Sequence, residues 1–118
     1  METTSSSFVS VTPLIPAGAV LADELRYYVE VLGFEVVWEG AGMAGVARGS
    51  VKFNLMQNTN KVWADNTSAS IGVKGLDELH AEYKAAGASV GALEIKHWGR
   101  REFHLVVPSG VCYQFYEA

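Results

Sequence analysis

Asp23-Glu24-Leu25, with Gly33 ten residues beyond the aspartate, is matched by Asp77-Glu78-Leu79 with Gly87 at the same distance. The two blocks stand 54 residues apart, so a short helical segment ending in glycine recurs once in each half of the chain. A β-rich run precedes each block and three more follow it. The order βαβββ, twice over, predicts an α+β protein made of two modules whose mixed sheets curve into cups. A duplicated unit of this kind builds a concave face suited to a ligand, which directs attention to small-molecule binding.

The bulk properties agree with a folded chain. With 118 residues, 49% of them hydrophobic and 19% charged, it suits a single domain with an ample core. Residues 1–7 carry no periodicity and are expected to form a disordered tail. The domain is expected over 8–118, with modules at about 8–56 and 68–117 and a connection at 57–67. The apolar stretch from Val9 to Ala22 is broken by Pro13 and Pro16, and no Lys or Arg precedes Arg26. It lacks the basic start of a secretory signal, so the expected location is cytoplasmic. No run reaches the roughly 18 to 20 apolar residues of a membrane span. A net charge of −4 disfavours nucleic-acid binding, which needs a basic footprint. Cys112 has no partner for an internal disulfide and reads as a buried, inert thiol in an alternating apolar run.

Local patterns place the elements. Phe8 to Ile15 reads as a strand, with Pro13 marking an edge or a crossing point between modules. Leu21, Leu25, Tyr28 and Leu32 fall at helical spacing over Val20 to Leu32, and Gly33 suits the residue just past the helix end. Strands follow at Phe34 to Glu39, Ala44 to Arg48 and Val51 to Met56, the last two joined by a hairpin turn at Arg48-Gly49-Ser50. In the second half, Ser68 to Val73 reads as a strand and Leu76 to Ala86 as a helix with Leu76, Leu79 and Tyr83 inward. Strands at Ser89 to Lys96, Arg101 to Val107 and Val111 to Glu117 complete the sheet, the final turn being Pro108-Ser109-Gly110. Distant module partners allow pairing within one chain or exchange with a neighbour, so a homodimer is expected.

Chemistry-bearing residues are few. Glu102 and His104 share one strand face by their i, i+2 spacing, a pair too small to specify a metal. The serines show no nucleophile pattern with a neighbouring histidine. Three tryptophans, Trp38, Trp63 and Trp98, offer flat surfaces for a heteroaromatic guest. Trp38 alternates with Val37, so one of the two faces solvent or ligand. Trp98, between His97 and Gly99 and ahead of two arginines, is too polar in context for a deep core. Asp65-Asn66-Thr67 reads either as a polar ligand contact or as a turn or capping motif.

Tyr28-Val29-Glu30-Val31-Leu32-Gly33-Phe34, Asp65-Asn66-Thr67, Gly75-Leu76-Asp77-Glu78-Leu79-His80-Ala81-Glu82, Trp98-Gly99-Arg100-Arg101-Glu102-Phe103 and Pro108-Ser109-Gly110-Val111-Cys112 resemble the glyoxalase/bleomycin-resistance/dioxygenase superfamily, the vicinal oxygen chelate fold. Within it these residues look most like the bleomycin-resistance proteins, over about Phe8 to Glu117. The resemblance implies a non-enzymatic, drug-sequestering homodimer without a cofactor. Its ligand set would be Trp38, Trp63, Asp65, Asn66, Trp98, Gly99, Arg101 and Glu102, with Pro13 at the dimer or strand-exchange point. The aromatic positions matching Trp38 and Trp98 stack on the drug's bithiazole, and Asp65 would meet a positive group. Superfamily enzymes hold a divalent metal with His, Gln or Glu on four strands; the matching places here carry Thr12 or Pro13, Asn54 or its neighbours, Ser68 and Gln114, so no metal is expected. The alternative is a metal-dependent lyase or dioxygenase using Glu102, His104 or Gln114. Arg100-Arg101 contains one residue more than the family pattern, and the two arginines with Lys61 oppose a cationic ligand.

Overall fold

The computed structural model describes residues 5–118. The expected tail therefore lies partly outside the described residues; Ser5 to Ser7 are exposed and irregular. The first half runs β1 (Leu14–Pro16), α1 (Leu21–Glu30), β2 (Glu35–Gly40), β3 (Met43–Arg48) and β4 (Val51–Met56). After α2 (Lys61–Asp65), the second half runs β5 (Ser68–Val73), α3 (Leu76–Ala85), β6 (Ser89–Val90), β7 (Glu94–Ile95), β8 (Arg101–Val106) and β9 (Cys112–Glu117). One sheet has the order β1-β4-β3-β2, the other β5-β9-β8-β6, with β7 also paired to β8. In both, the first strand lies parallel to the last while the remaining pairs are antiparallel. Two βαβββ modules forming cupped mixed sheets are thus the architecture.

Three local expectations need correction. The strand read over Phe8 to Ile15 shrinks to Leu14–Pro16, because only this stretch finds a neighbour, β4. Phe8, Val9 and Val11 extend into solvent instead. The strand read over Ser89 to Lys96 splits into β6 and β7, with Gly91 N–H bonded to the His104 carbonyl between them. The polar connection conceals α2, whose first turn is capped by the Asn60 side chain accepting from the amides of Val62 and Trp63 at 3.1 and 3.2 Å.

Each sheet turns one face to a shared core, into which α1 and α3 press their apolar stripes. Tyr28 and Tyr113 join their hydroxyls at 2.6 Å, and Phe53 stacks on Tyr113 with ring centres 5.2 Å apart. Those contacts tie the modules together. The Tyr83 hydroxyl donates to the Leu32 carbonyl at 2.8 Å and does the same from the other side. Gly75 has no side chain to cap α3, so the Glu117 carboxylate accepts from the Gly75 and Leu76 amides at 3.2 and 2.9 Å. The opposite face of each sheet is left uncovered.

Candidate functional site

On the first sheet, the register of β2 slips between Val36 and Trp38. Regular pairing would set Trp38 opposite Ala44, on the buried side. The bulge places it opposite Gly45 and aims the indole outward. Gly45 lacks a side chain, and the indole lies across the vacant space: a Cβ built there would come 2.8 Å from Cε2 and nearer still to Nε1 and Cδ1. Trp38 remains 41% exposed. Asn54 and Leu14 continue this face, as the cross-strand partners of Gly45 and of each other.

On the second sheet, strand alternation gathers Glu102 and His104 of β8, Cys112, Gln114 and Tyr116 of β9, and Ser70 of β5. Glu102 is the hub. Its carboxylate accepts from Arg100 Nε at 2.7 Å and lies 2.8 Å from His104 Nε2. It also receives the Trp98 side chain. Burial pushes its pKa up, but the hydrogen bonds from His104, Arg100 and Trp98, with the charge of Arg100, outweigh this and hold it below the ordinary value. The carboxylate has no accessible surface because these partners cover it, not because it is sunk in the core. Arg100 also spreads over the Tyr116 ring at 4.0 Å and donates to Ser70 Oγ at 3.2 Å. Ser70 and Gln114 share a bond of 3.2 Å.

This network presents Trp98. The β7–β8 hairpin closes through Gly99 N–H to the Lys96 carbonyl, with Gly99 at φ +94°, a conformation that favours glycine. Trp98 stands at the tip, 53% exposed, its ring nearly parallel to His104 with centres 6.3 Å apart. Indole, imidazole and guanidinium together form a stepped, polar-edged platform.

The sequence-derived candidates separate into groups. Trp38 and the Trp98-Gly99-Glu102 set lie on the outward faces of different sheets. Trp38 meets no other aromatic ring among the described residues, while Trp98 meets His97 and His104. Trp63, Asp65 and Asn66 lie on or beside α2. The Asp65 carboxylate is paired with Lys61, and Lys61 reaches the Ser109 carbonyl at 3.3 Å. Asn66 donates to the Val62 carbonyl at 2.8 Å, and the Trp63 carbonyl accepts from Thr67 Oγ1 at 2.6 Å. The capping reading of Asp65-Asn66-Thr67 describes these contacts. Arg101 points to the helix side, where it pairs with Asp77 at 2.6 Å. Pro13 stands just before β1, its carbonyl accepting from Asn54 N–H at 2.9 Å. The sequence-derived ligand set omits Arg100, Ser70 and Tyr116, although the alternation that linked Glu102 to His104 extends back to Arg100; Tyr116 and Ser70 join only through pairing between strands.

The places where superfamily enzymes hold a metal offer only neutral amide and hydroxyl donors here, Asn54, Ser68 and Gln114, split between two sheets. Among the described residues no three His, Cys, Asp or Glu side chains gather closely enough to hold a metal ion. Such donors do not fit a catalytic divalent centre.

No family model matches the chain, and no curated protein sequence does. Solved structures do. A bleomycin-binding protein from bleomycin-producing Streptomyces verticillus, in complex with copper(II)-bleomycin, is 28% identical over 97% of this chain and 99% of its own, with a TM-score of 0.86. The chain has the glyoxalase/bleomycin-resistance fold. The bleomycin resistance determinant encoded on transposon Tn5 superposes with a TM-score of 0.82 at 22% identity, over 93% of this chain and 98% of that one. TnmS3, an antibiotic-binding protein from Streptomyces sp. CB03234, has a TM-score of 0.72 at 16% identity, over 95% and 98% of the two chains. These two likenesses concern the fold. No helix among the described residues is long and apolar enough to cross a membrane.

Proposed function

We propose that this protein binds bleomycin-type glycopeptide antibiotics without transforming them, and confers resistance by sequestration as a homodimer. The observation that carries the reading is a pair of half-exposed tryptophans on outward faces of the two sheets, in a fold shared along its whole length with a copper(II)-bleomycin-binding protein. The two rings make no contact with each other and stand on different sheets, which suits a groove completed by a second copy. Partnering also accounts for surface that a lone chain leaves to water: Phe8, Val9 and Val11 before Pro13, and Val36, Val37 and Trp38 on the edge strand β2. In this reading planar heteroaromatic groups of the drug stack on Trp38 and Trp98, and Arg100 and His104 supply polar contacts at the platform edge. Glu102 acts through them, as a positioning residue.

Calorimetric titration with metal-free and copper-loaded bleomycin, with light scattering for the oligomeric state, tests the proposal. One drug per chain on a dimer is expected. Trp98→Ala should weaken binding by about 1 to 3 kcal/mol through loss of a stacking surface. Absence of saturable binding by either drug form overturns the function, and a monomer that binds drug normally overturns the shared groove.

A further inference from the structure

The doubled Asp-Glu-Leu motif puts equivalent carboxylates, Glu24 and Glu78, at two equivalent places, and the fold treats them differently. At the first junction the Pro108-Ser109-Gly110 turn closes over Glu24. Ser109 N–H donates to Glu24 Oε2 at 3.3 Å, Ser109 Oγ donates to the Pro16 carbonyl at 3.4 Å, and Glu24 is only 4% exposed. At the second junction the corresponding turn, Arg48-Gly49-Ser50, meets α3 through Arg48 at Glu82 and Tyr83, a turn of helix beyond Glu78, and makes no hydrogen bond to Glu78. A Cβ on Gly49 would meet nothing within 4 Å. A cavity of about 710 Å³ opens there, lined by Glu78 and floored by apolar groups of Phe34, Val51, Ile71 and Leu79. That volume lies within the range of small-molecule sites, roughly 300 to 1,000 Å³. None of Trp38, Trp98, Arg100 or Glu102 lines it.

The charges at its rim choose the ligand. Arg48 is already committed, giving Nη1 and Nη2 to Glu82 at 2.9 and 3.1 Å and Nη1 to the Leu32 carbonyl at 2.8 Å. Lys74 Nζ reaches the Ala118 carbonyl oxygen at 2.9 Å. Glu78 makes no ion pair or hydrogen bond through its carboxylate among the described residues. Lys74 is drawn toward the chain's last carbonyl and Arg48 toward Glu82, whereas Glu78 offers a cation a free acceptor. We propose that this cavity is a second small-molecule site, separate from the sheet faces, and that it takes a hydrophobic amine. The apolar body covers the floor and the ammonium group meets Glu78. Because Arg48 and Tyr83 bond across the modules beside this cavity, the occupant touches both halves and stabilises the folded chain by mass action.

Naphthylmethylamine, naphthylmethanol and naphthoate serve as cationic, neutral and anionic probes of one shape. Calorimetry and thermal unfolding of the full chain should give one amine site per chain. The alcohol should bind roughly threefold to tenfold more weakly and the acid more weakly again. Glu78→Gln, an exposed and structurally mild change, should bring amine and alcohol to the same affinity. Val51→Trp should fill the floor and abolish binding of all three, with circular dichroism checking its fold. No saturable amine binding, equal affinity for amine and alcohol in the unaltered protein, or amine binding indifferent to Glu78→Gln overturns the proposal, even if Val51→Trp fails to fold.

Discussion

Gly45→Ala separates what Trp38 does for the sheet from what it does for a ligand. The new methyl would stand 2.8 Å from Cε2 of the indole and closer to Nε1 and Cδ1, where carbon contacts prefer about 3.5 to 4.0 Å. The ring must therefore withdraw by about 1 Å or more. Backbone strain does not enter, because Gly45 is not among the positive-φ glycines. Overpacking in a closed core costs about 1 to 3 kcal/mol, but Trp38 is on an edge strand with two fifths of its surface free, so it can swing outward. Loss of unfolded-chain entropy on replacing glycine by alanine returns about 0.4 to 1 kcal/mol. The net change in stability should stay within about 1 kcal/mol. Stacking, in contrast, depends on the ring plane, and an aromatic pair is worth roughly 0.5 to 1.5 kcal/mol, or about a twofold to tenfold rise in Kd. Urea unfolding gives the first quantity and calorimetry with bleomycin the second, while acrylamide quenching reports how far the indole has opened to water. A loss of more than about 3 kcal/mol would refute the freedom assigned to the ring. Unchanged drug affinity alongside increased quenching would refute its role as a binding plane.

Two further predictions concern pH. Glu102 is held below its ordinary pKa of 4.5, so the stability it confers is present above that value and is lost as pH falls through the lower, folded value. Glu102→Gln should reduce the acid-side slope of unfolding free energy by up to about one proton, measured by urea titration across this range; an unaltered slope would show that the network contributes nothing. Glu24 behaves oppositely: burial raises its pKa above 4.5 despite the hydrogen bonds from Ser109, so its folded-state advantage exists at low pH and disappears as pH rises. Glu24→Gln keeps an acceptor for Ser109 N–H and should stabilise the neutral-pH protein by of order 1 kcal/mol, a gain that vanishes below about pH 4.5.

Periodicity exposed much of the fold because it records burial. Leu76, Leu79 and Tyr83 are buried on α3 at the spacing that marked them as its inward stripe, and Gly33 adopts φ +78° past the end of α1. Elements with little burial to record were harder to see. The five residues of α2 are stabilised by the Asn60 cap and the Thr67 bond, and their composition resembles a loop. The β6 and β7 fragments arise from where β8 offers hydrogen bonds, which local propensity does not reveal. At the candidate site, Glu102 and His104 met as their spacing required, but Arg100 and Arg101, adjacent and chemically alike, could not be told apart from composition. Strand alternation sends one to Glu102 and Tyr116 and the other to Asp77.

The sequence by itself determined the doubled module, the helical stripes and the Glu102–His104 strand face, since these follow from spacing along the chain. Only tertiary structure decided that a bulge turns Trp38 outward, that Lys61 occupies Asp65, and that the two motif carboxylates meet opposite fates. Those outcomes depend on which distant backbone or side chain arrives opposite each residue. A turn that closes on Glu24 and stands clear of Glu78 leaves no trace in the local pattern, because the two motif segments carry the same three residues.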